Sequence, residues 1–126
     1  MSPVNTRRSR LLLAVLCGWA MLVTSSLAQG VSPSPTDILR DPDRFDGQTV
    51  TIRGTVTNVQ ERVSRAGNPY YTLDLSDGKQ TIRVFSFGAA PCRAGAGTVE
   101  GSFAKVKQQG RYTFYNEVTA TRVVCR

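Results

Sequence analysis

The sequence predicts an all-β domain, a small barrel of five strands with one short helix ahead of the first. Three observations predict it. Five stretches between Gln48 and Val124 alternate β-branched or aromatic residues with polar ones, and turn-forming residues separate them. The first stretch, Gln48–Val59, carries Gly54 at its middle and loses its phase at Val59, as a strand does when it coils through a bulge or bend. Everything ahead of that stretch reads as export signal, linker and a short helical cap. With 126 residues the chain has room for one domain and not two.

Residues 1–28 read as a cleaved signal peptide. Arg7, Arg8 and Arg10 form a positive start, Leu11–Val23 is apolar apart from Gly18, and Ser26-Leu27-Ala28 fits a cleavage site before Gln29. The apolar run is short for a membrane span, which is the competing reading. Residues 29–35 (QGVSPSP) form a polar, proline-containing tether, expected to be mobile. The domain is then 36–126. The three signal arginines are part of 16 basic residues against 9 acidic ones, so the mature chain carries a net charge of +4. That permits a polyanion partner without requiring one.

Ser34-Pro35-Thr36-Asp37 fits a capping box with proline in the first helical position. Pro42 stops the helix and disfavours helical backbone at Asp41. Ile38, Leu39 and Phe45 give it an apolar side, and Asp46-Gly47 turns into the first strand. In that strand Val50, Ile52 and Val56 share one face. A strand that bends this way can pair with different neighbours along its two halves, which is how small barrels close.

The second strand, Tyr70–Leu75, sets Tyr71, Leu73 and Leu75 against Tyr70, Thr72 and Asp74. Ser76–Lys79 forms a hairpin turn around Asp77-Gly78. The third, Gln80–Phe87, sets Ile82 and Val84 against Thr81, Arg83, Phe85 and Phe87. Gly88–Gly97 is a Gly- and Ala-rich loop. The fourth strand runs from Thr98 to Val106, Lys107–Arg111 is a turn, and the fifth is Tyr112–Val124. Five antiparallel strands with a long, coiled first member point to a five-stranded Greek-key OB-fold barrel. An SH3-like barrel and an open meander are the alternatives.

The helix ending in a proline turn, followed by Gly47-Gln48-Thr49-Val50-Thr51-Ile52-Arg53-Gly54-Thr55-Val56, resembles the start of the OB-fold nucleic-acid-binding family, which includes the anticodon-binding domains of class II aminoacyl-tRNA synthetases. The local pattern is most similar to small exported or periplasmic OB-fold proteins. Tyr70–Phe87 is similar to the family's second and third strands. The resemblance spans residues 36–124. It implies a binding surface on the second and third strands and the loops beside them.

Cys92 and Cys125 are the two cysteines left after signal cleavage, and an even count in an exported protein reads as one disulfide. The chain has no histidine, which excludes His-ligated metals, His-ligated haem and Ser-His-Asp or Cys-His catalysis. Asp37, Asp41, Asp43 and Asp46 lack the spacing of a calcium loop. With no paired acids and no activated nucleophile in view, the expectation is a non-enzyme with no cofactor and no metal.

The expected ligand face carries Tyr70, Thr72, Arg83, Phe85 and Phe87. Arg62 and Arg65 lie in the first loop, and Lys105, Lys107 and Arg111 flank the fourth strand. Aromatic rings offer stacking platforms and cations neutralise phosphates. The structural alternative places Phe85 or Phe87 in the core, Tyr70 under the first loop and the basic residues at a solvated hairpin end. Function reads as an exported module, periplasmic or secreted, that binds single-stranded nucleic acid or another polyanion and has no stable membrane span after cleavage. The alternatives are an envelope protein-interaction or structural domain, and a small-ligand or oligosaccharide binder.

Overall fold

The computed structural model describes residues 32–126, so the signal-peptide reading of residues 1–28 lies outside the described residues. From Ser32 onward the expected tether is held against the domain, because Pro33 and Pro35 are buried. Helix α1, Pro35–Arg40, opens with the expected capping box. The Ser34 hydroxyl accepts from the Asp37 N–H at 3.1 Å, and the Asp37 carboxylate accepts from the Ser34 N–H at 3.0 Å. Pro42 ends α1 as expected. It also starts a second helix, α2, Pro42–Phe45, because proline suits a first helical turn. Asp41 between them is non-helical, at φ −144° and ψ 70°. Ile38 and Phe45 are buried in the core, and the Thr36 N–H and hydroxyl both donate to Asp77 across the domain.

Five strands follow: β1 Thr49–Val63, β2 Pro69–Ser76, β3 Thr81–Phe87, β4 Gly95–Gln109 and β5 Tyr112–Cys125. They close into a barrel in the order β1-β2-β3-β5-β4. All neighbours are antiparallel except β3 and β5, a short parallel seam pairing Arg83–Phe85 with Glu117–Thr119. This is the Greek-key order expected of the OB type.

Strand β1 divides its pairing as its bend predicts. Thr49–Val56 pair with β4, and Thr55–Val63 pair with β2. Gly54 sits at the changeover, where a Cβ would come within 2.5 Å of the Ser76 carbonyl oxygen. The bulge itself lies further on, between Thr57 and Gln60, around Asn58 at φ 51°. Val50, Ile52 and Val56 point inward with Leu73, Leu75, Ile82, Val84, Val99, Phe103 and Val118.

Strand β4 is longer than expected at both ends. Gly95–Gly97 pair with Val56–Gly54, so the loop expected over Gly88–Gly97 is shorter. At the other end Lys107 lies within the strand, and the turn contracts to Gly110 and Arg111. Cys92 and Cys125 form the expected disulfide, with Cα atoms 6.2 Å apart, tying the β3–β4 loop to the end of β5. The Glu61 carboxylate also accepts from the Ala90 N–H and pairs with Arg93, bracing the same loop against β1.

Candidate functional site

Two hairpin arms extend from the barrel and flank the outer face of β2 and β3. In the first arm, Gln60, Arg62 and Val63 pair with Thr72, Tyr70 and Pro69. In the second, Val106, Lys107 and Gln109 pair with Tyr115, Phe114 and Tyr112. Each arm begins beside an asparagine in the left-handed backbone region, Asn58 at φ 51° and Asn116 at φ 53°. Asparagine tolerates that conformation better than other side-chain-bearing residues, and a left-handed residue bends a strand locally.

Cross-strand register fixes the face between the arms. Tyr70 lies opposite Phe87, Thr72 opposite Phe85 and Asp74 opposite Arg83. The Tyr70 ring stacks on Phe85 with centroids 5.2 Å apart, and Phe87 meets Phe85 edge-on at 5.1 Å. Phe85 is therefore on the outer face yet only 6% exposed, whereas Phe87 is 65% exposed. The Lys107 ammonium covers Phe85 at 4.1 Å from the ring centroid. Phe85 supports the platform, and Phe87 offers an open ring.

The charged centre of the face is Glu117, which lies opposite Arg83 in the parallel seam and is 1% exposed. Its Oε2 accepts from Arg83 Nε at 2.8 Å, and its Oε1 accepts from Lys107 Nζ at 2.9 Å. Lys107 donates again to the Thr119 hydroxyl at 3.2 Å. A buried carboxylate needs such partners, because desolvation of an unpaired charge costs several kcal/mol. The Arg83 guanidinium lies over the Phe114 ring at 5.3 Å, and Phe114 packs beside Tyr112 with centroids 6.5 Å apart. Among the described residues the terminal amino groups of Arg83 have no protein hydrogen-bond partner, and the side chain is 46% exposed.

These side chains enclose a cleft of about 210 Å³ between Tyr70 and Phe87 on the sheet and Tyr112 and Phe114 on the second arm, with Arg83 and Glu117 in its lining. It shares Tyr70, Arg83, Tyr112 and Phe114 with a groove of about 450 Å³ that continues past Arg62 and Thr72. The arrangement offers flat apolar rings beside one hydrogen-bonding cationic fork.

The structure places Tyr70, Thr72, Arg83, Phe85, Phe87, Arg62 and Lys107 together on this face, though Phe85 and Thr72 are buried and Arg62 and Lys107 lie in strands. Arg65 and Arg111 are exposed at the arm tips and do not line the cleft. Lys105 turns toward α2 instead. Its ammonium pairs with Asp43 at 2.7 Å, which holds its pKa above the usual lysine range, and its N–H donates to Asp46. Sequence reasoning missed Tyr112, Phe114, Gln109 and Glu117 as lining residues. The alternation of Lys107 and Gln109 opposite Phe114 and Tyr112 was available as a signal. The Arg83–Glu117 pairing was not, because it spans a parallel seam.

The fold is similar to part of a Leishmania major protein described as an aspartyl-tRNA synthetase, with 15% identity and a TM-score of 0.51, covering 79% of this chain. This chain spans about 21% of that one. It also aligns with the solution structure of an OB domain from Thermoplasma acidophilum, at 20% identity and a TM-score of 0.47, covering 75% of this chain and 86% of that one. At these identities the likeness concerns the fold alone. No family model matches the chain, and no curated protein matches it.

Proposed function

We propose that this protein is an exported, non-catalytic binding module that holds single-stranded nucleic acid or a related polyanion across the outer face of β2 and β3. The observation that carries the reading is the cleft itself. Exposed rings of Phe87 and Tyr112 stand beside the unpartnered end of the Arg83 guanidinium. Stacking on such rings is tolerant of base identity, and an arginine fork matches a phosphate. The net charge of +4 that remains once Arg7, Arg8 and Arg10 are removed is consistent with modest, salt-sensitive attraction.

The test is fluorescence anisotropy of labelled single-stranded DNA and RNA with the oxidised protein, at low and near-physiological salt. Micromolar binding that persists at the higher salt supports the reading, and its absence at both salts defeats it. Export is tested separately, by mass spectrometry of the protein recovered from the producing cell. A start at Gln29 supports cleavage, and an intact Met1 opposes it.

One observation favours a second reading, an envelope protein-interaction domain. Val106 and Tyr115 form a cross-strand pair on the second arm, 49% and 68% exposed. That reading expects a crosslinked envelope partner and no salt-dependent oligonucleotide binding.

A further inference from the structure

Resting on the nucleic-acid reading above, we infer that buried Glu117 is a specificity-determining positioning residue, which makes the face select anions that carry aromatic rings and discriminate against plain polyanions. Arg83 and Lys107 both lean on this one carboxylate, at 2.8 and 2.9 Å. Without it, the face would present two neighbouring cations to any polyanion. With it, one of those charges is cancelled locally.

The two cations do not share the remaining charge equally. Lys107 is 20% exposed and is engaged three ways, by Glu117, by the Thr119 hydroxyl and by the Phe85 ring. Little of its ammonium is left for a ligand. Arg83 gives Glu117 only its Nε, keeps both terminal amino groups free and lies against Phe114. Glu117 therefore aims the fork of Arg83 along the cleft, between the rings.

The energetic consequence separates two kinds of ligand. A polyanion without rings gains one phosphate contact here and only the counterion release that goes with it. A ligand with rings gains in addition about 5- to 150-fold for each base stacked. The ligand class is a phosphate-bearing aromatic unit, as in single-stranded nucleic acid.

The experiment compares a labelled oligothymidylate with inorganic polyphosphate of matched charge, for the purified oxidised protein and Glu117→Gln, across a salt series. The expected result is oligonucleotide binding about 10-fold tighter or more in the parent. In Glu117→Gln, polyphosphate affinity rises about 10-fold with a steeper salt slope, whereas for oligothymidylate the same gain is offset by the loss of the aimed Arg83 fork, and the preference collapses. Equal parental affinity for both ligands, or an unchanged preference in Glu117→Gln, overturns the inference and leaves the polyanion reading standing. No binding of either ligand overturns both. If circular dichroism shows Glu117→Gln unfolded, Glu117→Asp decides, since it keeps the charge and shortens the reach that aims the Arg83 fork. Loss of oligonucleotide affinity by about 10-fold with polyphosphate unchanged supports the inference, and equal change in both overturns it.

Discussion

Asn58 and Asn116 sit in different strands and adopt the same left-handed backbone, at φ 51° and 53°. Each stands where a hairpin leaves the barrel wall to become an arm of the cleft. A β-branched residue in that conformation costs about 1–2 kcal/mol, whereas glycine adopts it freely. Asn116→Val should therefore lower stability by about that amount in urea unfolding, with Asn116→Gly close to the parent. Because the arm carries Tyr112 and Phe114, the valine variant should also bind oligonucleotide more weakly.

Phe85 and Tyr112 should separate stability from binding. Phe85 is covered by Tyr70, Phe87 and Lys107, so Phe85→Ala should cost about 3 kcal/mol or more. Tyr112 is 64% exposed. Tyr112→Ala should leave the melting curve within about 0.5 kcal/mol and weaken oligonucleotide binding by about 1–3 kcal/mol. Equilibrium unfolding and anisotropy on the same two variants give both answers.

Gly101 should be intolerant of substitution. A Cβ there would come 2.2 Å from the Thr119 carbonyl oxygen, and backbone cannot yield as a flexible side chain can. Gly101→Ala should destabilise by about 3 kcal/mol or more, by forcing β4 away from β5. Gly67→Ala, by contrast, meets nothing within 4 Å and is penalised only by its positive φ of 86°. Thermal unfolding of the pair should rank them in that order.

The disulfide should contribute strongly to a domain of this size. Linking positions 33 apart is worth about 3–4 kcal/mol in the chain-entropy account. The double variant Cys92→Ser/Cys125→Ser should lose about that much in denaturant unfolding. The chain from Gln29 onward, which lacks Cys17, should show no titratable thiol until reductant is added.

Acid should weaken the domain through two aspartates. Asp77 accepts from the N–H groups of Gln80, Lys79 and Thr36 and from the Thr36 hydroxyl, which holds its carboxyl far below the ordinary 3.8. Asp37 is lowered by the Ser34 N–H and hydroxyl. A lowered folded pKa means the unfolded chain takes up the proton first. The contribution is fully present above about pH 4 and is lost as pH falls through the folded values. The melting temperature should drop on acidification below pH 4, and Asp77→Asn should be less stable at neutral pH with a shallower drop.

The parts legible in the sequence were those encoded locally. The alternation through Val50, Ile52 and Val56, and through Tyr71, Leu73 and Leu75, reports core-facing positions because one face of each strand is buried. The capping box at Ser34 and Asp37 is equally local. The arms were less legible, because Gln60–Val63 have no buried face to impose a pattern. Gly95–Gly97 hid the start of β4, since glycine and alanine give little side-chain signal while their backbones pair with β1. Glu117 looked isolated in the sequence because its partner Arg83 lies 34 residues away and meets it only when the ring closes.

The strand order has a kinetic consequence. Three of its contacts, β1–β2, β2–β3 and β4–β5, join consecutive strands as hairpins that can form early. The other two, β1–β4 and β3–β5, join distant parts of the chain and must wait for it to search. Distant pairings of this kind slow folding, because the loop-closure entropy must be met before the contacts form. Val84 and Val118 meet inside the β3–β5 seam while Arg83 and Glu117 meet outside it, so the candidate cleft is assembled by the step that completes the barrel. A partly folded chain has the rings and the arginine but does not yet have the cleft.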